Sequence, residues 1–194
     1  MSFVHSLVVL SALIGIVGAS FYTRDTLSGK TKPNRVSWFM WAFTPLLGTV
    51  AALSAGADKW ATVRIFVAGF LPLLVLVASF VNKKSFWKLT FFDFVCGLLS
   101  IIGIVLWITI DTPQLAILFA AMGDGFAGLP TIRKAWISPE TETGITYIAS
   151  FVSLLLVLPS IPVWNIENSA FQIFLLVQTS VLVFAVYRHK VFKF

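Results

Sequence analysis

Residues 89–110 read LTFFDFVCGLLSIIGIVLWITI, and Asp93 is the only charged side chain in this stretch. A helix needs roughly 20 consecutive apolar residues to cross the hydrocarbon core of a bilayer. Residues 89–110 therefore predict a transmembrane helix. The composition of the whole chain agrees, because 58% of its 194 residues are hydrophobic and only 11% are charged. So few charged residues cannot cover a surface that faces water.

Six further apolar stretches flank this one, three on each side. We therefore expect an all-α integral membrane protein with seven transmembrane helices, forming a single membrane domain over residues 1–194. Proline follows a hydroxyl residue at Thr112-Pro113 and at Ser138-Pro139, which predicts helix starts at both places. The six stretches are His5–Tyr22, Ser37–Ala55, Trp60–Val81, Pro113–Ala135, Ile145–Leu158 and Ala170–Tyr187.

Basic residues favour one side of a chain that crosses seven times. They fall in the connectors after the first, third and fifth stretches and in the C-terminal tail, whereas the opposite side has only Lys59 and Arg64. The positive-inside rule then predicts an N-terminus outside and a C-terminus in the cytoplasm. The basic residues are Arg24, Lys30, Lys32, Arg35, Lys83, Lys84, Lys88, Arg133, Lys134, Arg188, Lys190 and Lys193.

The net charge of +6 fits a membrane surface better than a nucleic acid. The basic residues form no continuous face, and no nucleic-acid recognition motif accompanies them. Anionic headgroups on the cytoplasmic side account for them instead. The single Cys96 allows no intrachain disulfide. Together with the absence of glycosylation sequons, this is compatible with a bacterial inner (plasma) membrane.

The connectors after the first and fifth stretches look alike. Each follows a helix that ends in basic residues, contains one proline (Pro33 or Pro139) and places a hydroxyl residue before the next apolar run. This indicates two parallel three-helix repeats, residues 1–82 and 112–194, joined by a linker helix at 86–111. One linker helix gives both repeats the same orientation, as in several transporters. The alternative is that proline-containing basic loops are common to many polytopic proteins.

Residues 129–136, LPTIRKAW, are followed by Pro139-Glu140-Thr141-Glu142-Thr143. This is similar to a known pattern of proline, glutamine, a basic run and then Lys-Ser-x-Glu-Gly. The chain therefore resembles a divergent member of the P-Q-loop/SWEET (MtN3) superfamily, which includes sugar facilitators, lysosomal amino-acid exporters and lumenal-retention-signal receptors. It departs from the pattern at Thr131, which stands in place of glutamine, and at Tyr22, which lies near the expected proline of the first copy. The resemblance implies a 3+1+3 arrangement of seven helices.

Asp124 is the main candidate for a site residue. A carboxylate near the middle of a transmembrane helix is costly, so it is expected to face the bundle interior and to contact substrate or carry a proton. An interhelical hydrogen bond is the alternative. Gln178 is the one strongly polar side chain deep in the seventh stretch. The asparagines that bind sugar in SWEETs have no counterpart here, which puts a sugar substrate in doubt.

The pattern G-x-G-x-x-G at Gly123, Gly125 and Gly128 lies within a predicted membrane helix. A dinucleotide-binding site would need a preceding strand and a βαβ unit. Small residues instead allow two membrane helices to approach closely. The pattern therefore predicts helix packing or a thin cavity wall.

Trp38 and Trp41 are spaced i, i+3 and share one face of the second helix. They are predicted to stack on a flat ligand, or alternatively to anchor the helix at the membrane interface. This pair also resembles the nicotinamide-riboside transporters, which are similar to SWEETs in layout. Pro45 and Pro130 interrupt helical hydrogen bonding. In SWEET-like proteins such prolines are implicated in rocking, so these two are hinge candidates; static kinks are the alternative.

We expect a membrane transporter, either a SWEET-like facilitator or a proton-coupled carrier, that moves a small polar metabolite by alternating access. Its expected partners are this substrate, the lipid bilayer, protons and a second copy in a homo-oligomer. No enzymatic activity, metal or cofactor is expected, because His5 and His189 lie at the chain ends and outside any zinc-binding pattern. The alternative is a seven-helix cargo receptor or scaffold without transport activity.

Overall fold

The computed structural model describes residues 3–54, 56, 59–161 and 163–191. These ranges contain seven α-helices, two short 3-10 helices and no β-strand, which confirms the all-α prediction. The 3-10 helices are Pro139–Thr141 and Leu158–Ser160. The α-helices are α1 (Phe3–Leu27), α2 (Arg35–Ser54), α3 (Lys59–Val81), α4 (Phe91–Thr109), α5 (Pro113–Ile137), α6 (Gly144–Val157) and α7 (Ile166–Val191).

Five helices, α1, α2, α4, α5 and α7, are long and apolar enough to cross a membrane. Helices α3 and α6 contribute the shorter apolar segments Ile65–Val81 and Gly144–Ser160. Large apolar side chains cover the outside of the bundle, and Phe91 is the extreme case at 84% exposed. An apolar surface of this extent suits lipid rather than water. The chain is therefore an integral membrane protein.

Helices α1, α5 and α7 extend beyond the apolar stretches that predicted them, whereas α4 is shorter than the stretch 89–110. Helix α1 continues past Tyr22 to Leu27 and so includes Arg24 and Asp25. Helix α7 also begins earlier and ends later than the stretch Ala170–Tyr187. Hydropathy falls where polar side chains begin, whereas backbone hydrogen bonding continues into the interface because long polar side chains there can reach water.

The two predicted helix starts have different outcomes. Pro113 opens α5 directly after Thr112, as expected, although the Thr112 hydroxyl makes no capping bond. The prediction that the sixth helix starts at Ser138-Pro139 is wrong, because α6 begins only at Gly144. The Ser138 carbonyl oxygen accepts a hydrogen bond from the backbone N–H of Thr141 (3.0 Å), which closes a single 3-10 turn instead.

Helices α3 and α7 occupy corresponding places in the bundle. Helix α3 packs against α1 and α2, and α7 packs against α5 and α6. The two groups meet where α1 packs on α6 and α2 packs on α5, while α4 lies against α5 and α2. The main core includes residues from every helix except α4. Its buried members are Tyr22, Trp38, Val75, Leu76, Ala135, Tyr147, Leu182, Ala185 and Val186.

Three connectors meet at one end of the bundle, which we term the connector end. The backbone N–H of Lys32, between α1 and α2, donates to the carbonyl of Thr141, between α5 and α6 (3.0 Å). The N–H of Trp87, between α3 and α4, donates to the carbonyl of Pro33 (3.1 Å). Arg188 of α7 bonds carbonyl oxygens at the end of α5. Helices α1, α3, α5 and α7 therefore run toward this end, which carries nearly all the basic residues.

The glycines of α5 allow close helix contacts. A Cβ on Gly103 of α4 would lie 2.7 Å from the Cα of Gly123, so these two backbones touch. A Cβ on Gly125 would lie 3.1 Å from the ring of Phe174 in α7. Helix packing is thus confirmed as the explanation of the G-x-G-x-x-G pattern.

We predict that Gly103→Ala lowers the free energy of unfolding by about 1–3 kcal/mol, because the added methyl group must push the α4 and α5 backbones apart. Gly15→Ala is the matched control, since its Cβ would have Ser153 Oγ as nearest neighbour at 3.8 Å. This control should be neutral or gain up to about 1 kcal/mol of helix propensity. Thermal unfolding in detergent measures both variants. Equal melting temperatures would contradict the close packing of α4 on α5.

Candidate functional site

Asp124, Gln178 and Trp41 meet in the interior of the bundle. Nε2 of Gln178 in α7 donates a hydrogen bond to Oδ2 of Asp124 in α5 (2.8 Å). The indole N–H of Trp41 in α2 also lies within hydrogen-bonding reach of this carboxylate. Three helices thus contribute one group each, and the structure brings together three of the residues that the sequence singled out. We refer to these three residues as the Asp124 site.

Asp124 has no cationic partner among the described residues, since none of their salt bridges includes it. Charged groups on its own helix and on those packed against it lie toward helix ends. Lys134 is ten residues further along α5, about 15 Å away. The others are Arg133 beside Lys134 on α5, Arg35 at the start of α2, Asp93 in the first turn of α4, and Glu167, Arg188 and Lys190 near the two ends of α7. The carboxylate therefore has only neutral donors, and a bound proton or a cationic ligand would neutralise it.

Trp38 lies inside the bundle and not at the membrane interface. It is 5% exposed, and its ring centroid is 4.5 Å from that of Tyr22 and 5.4 Å from that of Trp41. The alternative of an interfacial anchor is therefore wrong for Trp38. Trp136 fits that description instead, because it is 50% exposed and the Arg188 guanidinium lies 4.4 Å from its ring centroid.

An aromatic cluster separates the Asp124 site from the connector end. It consists of Tyr22 in α1, Trp38 in α2 and Tyr147 in α6, all of them buried. The rings of Tyr22 and Tyr147 are 6.3 Å apart in an edge-on arrangement. Trp38 lies one turn closer to the connector end than Trp41 on the same helix. The cluster therefore fills the centre of the bundle on that side of the site.

A buried carboxylate, Glu142, lies next to the aromatic cluster at the connector end. Its Oε2 accepts hydrogen bonds from the hydroxyl groups of Tyr22 (2.6 Å) and Tyr147 (2.8 Å). Its Oε1 is 2.9 Å from Nζ of Lys134, and both side chains of this ion pair are 0% exposed. The pair and the two tyrosines link α1, α5 and α6.

Lys134 makes two hydrogen bonds in addition to its ion pair with Glu142. Nζ donates to the main-chain carbonyl of Lys32 and to that of Thr141 (3.2 Å). An ammonium group has donors and no acceptor, so carbonyl and carboxylate oxygens are its partners. A buried charge is tolerated when it is paired and hydrogen-bonded in this way.

Asp25, in the last turn of α1, anchors a second layer of bonds further out. Its Oδ2 accepts from the hydroxyl of Thr143 (3.0 Å), which also contacts the hydroxyl of Thr31 (2.5 Å). Arg24 and Lys30 pair with Asp25 at 3.0 and 3.4 Å, with both basic side chains largely exposed. This layer again joins the α1–α2 connector to the α5–α6 connector.

The sequence did not identify the Lys134–Glu142 pair as a functional feature. It counted Lys134, together with its neighbour Arg133, only among the basic residues of the predicted cytoplasmic side. Consecutive helical residues point about 100° apart, so Arg133 is exposed while Lys134 is buried. The one available signal of such a pair was Glu142 itself, an acidic residue in a connector that lies next to basic helix ends.

The two hinge candidates lie on helices that carry site residues. Pro45 follows Trp41 by one turn in α2, and its carbonyl accepts a hydrogen bond from the hydroxyl of Thr49 (2.9 Å). Pro130 is buried in α5 between Asp124 and Lys134. Both helices continue through their prolines, and the hinge role stays a prediction.

In the part of the chain that the structure describes, no three His, Cys, Asp or Glu residues gather closely enough to hold a metal ion. No protein-family model, no curated protein and no solved structure matches the chain. Function is therefore inferred from the geometry of the residues described above.

We predict that the contact between Asp124 and Gln178 gives a coupling energy of about 0.5–1.5 kcal/mol, the range measured for hydrogen bonds between membrane helices. A double-mutant cycle with Asp124→Asn and Gln178→Leu, read by thermal or denaturant unfolding in detergent, measures it. Gln172→Leu is the control, because Gln172 lies on the same helix outside the site. If the coupling energy between Asp124 and Gln178 is as small as that between Asp124 and Gln172, the contact between Asp124 and Gln178 is contradicted.

Proposed function

We propose that the chain is a membrane transporter that binds a small polar metabolite at the Asp124 site and exposes it alternately to the two sides. One observation carries the proposal. A part-buried carboxylate, without a cationic partner among the described residues, lies between helices that bring it two neutral donors, Gln178 of α7 and Trp41 of α2. Ionisable groups at this depth mark substrate or proton pathways by default.

The helix neighbours support two parallel repeats. Exchanging α1 with α5, α2 with α6 and α3 with α7 leaves the set of contacts among these six helices unchanged, since α1–α6 becomes α5–α2 and α3 keeps its place as α7. The linker α4 stands outside this symmetry, because it packs on α5 and α2. Two units related by an axis along the membrane normal have this property. It supports the 3+1+3 division into residues 1–82, 86–111 and 112–194, with α4 as the linker, and with it a distant likeness to SWEET proteins.

The charge distribution supports an orientation. Nearly all basic residues of the described chain lie at the connector end, so we assign this end to the cytoplasm and the N-terminus to the outside. All seven helices then cross the membrane, with α3 and α6 near the lower limit of spanning length. A bacterial inner membrane remains our assignment of location.

The proposed transport step is a rocking of the two units about Pro45 and Pro130. These prolines flank the Asp124 site on α2 and α5, the two helices that join one unit to the other there. Trp41 would contact the substrate directly, and Trp38 would form the floor of the site toward the cytoplasm. Neutralisation of Asp124 comes either from a co-transported proton or from a positive group on the substrate.

The test is ligand-induced thermal stabilisation of the purified protein against sugars, amino acids, nucleosides and vitamins at two pH values. We expect one chemical class to stabilise the wild type and to bind Asp124→Asn about tenfold or more weakly, the loss expected for a hydrogen bond to a charged group. Asp111→Asn is the matched control, because it removes an exposed carboxylate outside the site. It should bind as the wild type does.

Measurements of substrate flux in proteoliposomes then test whether transport is coupled to a proton. If Asp124 carries a proton with the substrate, a pH gradient drives uptake by the wild type and by Asp111→Asn but not by Asp124→Asn. Equal flux by all three proteins over the pH range would overturn the coupling. If no small molecule stabilises the protein, the cargo-receptor or scaffold alternative replaces transport, and the search moves to protein partners.

A further inference from the structure

We propose that the buried network of Lys134, Glu142, Tyr22 and Tyr147 is the gate that holds the connector end closed. The structure is then the form in which the Asp124 site is sealed from that end. The inference rests on the proposed function, because only a protein that opens alternately at its two ends needs a gate. The gate adds the residues that control access to the Asp124 site from the connector end.

Some bonds of this region cross from one three-helix unit to the other, whereas the Lys134–Glu142 pair and the bond from Tyr147 to Glu142 lie within the second unit. Tyr22 and the carbonyl of Lys32 belong to the first unit, and their partners Glu142 and Lys134 belong to the second. The main-chain bond from Lys32 to Thr141 crosses in the same way. Opening this end by moving the units apart must therefore break every one of these crossing bonds, together with the bond from Thr143 to Asp25.

Burial makes the network a two-state element. The side chains of Glu142 and Lys134 have no contact with solvent, and their bonds to Tyr22 and to the Lys32 carbonyl exist only while the two units are together. The ion pair itself lies within the second unit, so a half-separated network would keep this pair but deprive it of those two partners in a region without water. Separation must therefore be complete, with water entering, and intermediate openings are disfavoured. Packed interfaces that switch between two discrete arrangements behave in this manner.

The opposite half of the bundle is joined more weakly among the described residues. There, α1 and α6 meet through the hydroxyl groups of Ser11 and Ser153 (2.9 Å), which carry no charge. Among the described side chains, the charged contacts between the units lie at the connector end.

A cysteine reporter behind the gate tests the proposal. Cys96 is replaced by alanine, and Thr131→Cys is introduced, because Thr131 is 0% exposed and its hydroxyl has no hydrogen-bond partner among the described residues. Thr131 lies one turn deeper on α5 than Lys134 and on the same face. The readout is the rate at which a membrane-impermeant maleimide labels this cysteine in vesicles, added from either side.

Glu142→Gln removes the charge that pairs with Lys134, and Tyr22→Phe removes a single hydroxyl while keeping the ring in the aromatic cluster. We expect Glu142→Gln to raise labelling from the connector end about tenfold or more, which corresponds to a shift of about 1.4 kcal/mol in the opening equilibrium. Tyr22→Phe should raise it by a smaller factor, and it carries the test if Glu142→Gln fails to fold. Glu140→Gln is the matched control and should leave the rate unchanged, because Glu140 is an exposed carboxylate of the same connector.

Unchanged labelling in both Glu142→Gln and Tyr22→Phe would overturn the gate. An equal rise from both sides would also overturn it, because that indicates general loosening of the bundle. The readout needs no substrate, so it separates the two proposals. Labelling that depends on Glu142, in a protein that no metabolite stabilises, would support the gate and contradict small-molecule transport. Stabilisation of the wild type by a metabolite, together with unchanged labelling in both variants, would support small-molecule transport and contradict the gate.

Discussion

The buried ion pair between Lys134 and Glu142 constrains the rest of the connector end. Removing two charges from water costs several kcal/mol per ion, which is recovered only if every donor and acceptor finds a partner. The partners are two tyrosine hydroxyls and two main-chain carbonyls, so helices α1, α5 and α6 and both connectors must hold fixed positions around the pair. The 3-10 turn Pro139–Thr141 belongs to this arrangement, since it supplies one carbonyl and directs Glu142 inward.

Two carboxylates of the bundle, Glu142 and Asp124, are in opposite situations. Glu142 is compensated by a lysine at one oxygen and accepts hydrogen bonds from two tyrosines at the other, so it stabilises one arrangement of the two units. Asp124 has neutral donors only, so no positive charge compensates its carboxylate. The aromatic cluster of Tyr22, Trp38 and Tyr147 lies between them. The first carboxylate is suited to holding the bundle closed, and the second is suited to a proton or a ligand.

Much of the architecture and part of the site could be predicted from the sequence. Apolar stretches predicted all seven helices, because a helix that meets lipid must be apolar over its length. Asp124 and Gln178 were identified because a polar side chain in such a helix must face inward, where few partners exist. The sequence left two explanations open for Trp38. Neither hydropathy nor spacing decides whether a tryptophan near a helix end faces lipid or the neighbouring helices.

By itself, the sequence determined the class of protein, the positions of the helices, the side that carries positive charge and two polar interior residues, Asp124 and Gln178. Only the tertiary structure decided that Lys134 is buried while the adjacent Arg133 is exposed, and that Tyr22, Lys32 and Glu142 meet there. Residues far apart in the chain become partners through the packing of α1 on α6 and of α2 on α5. Hydropathy is a local property, whereas the pairing of buried charges depends on which helix faces come together.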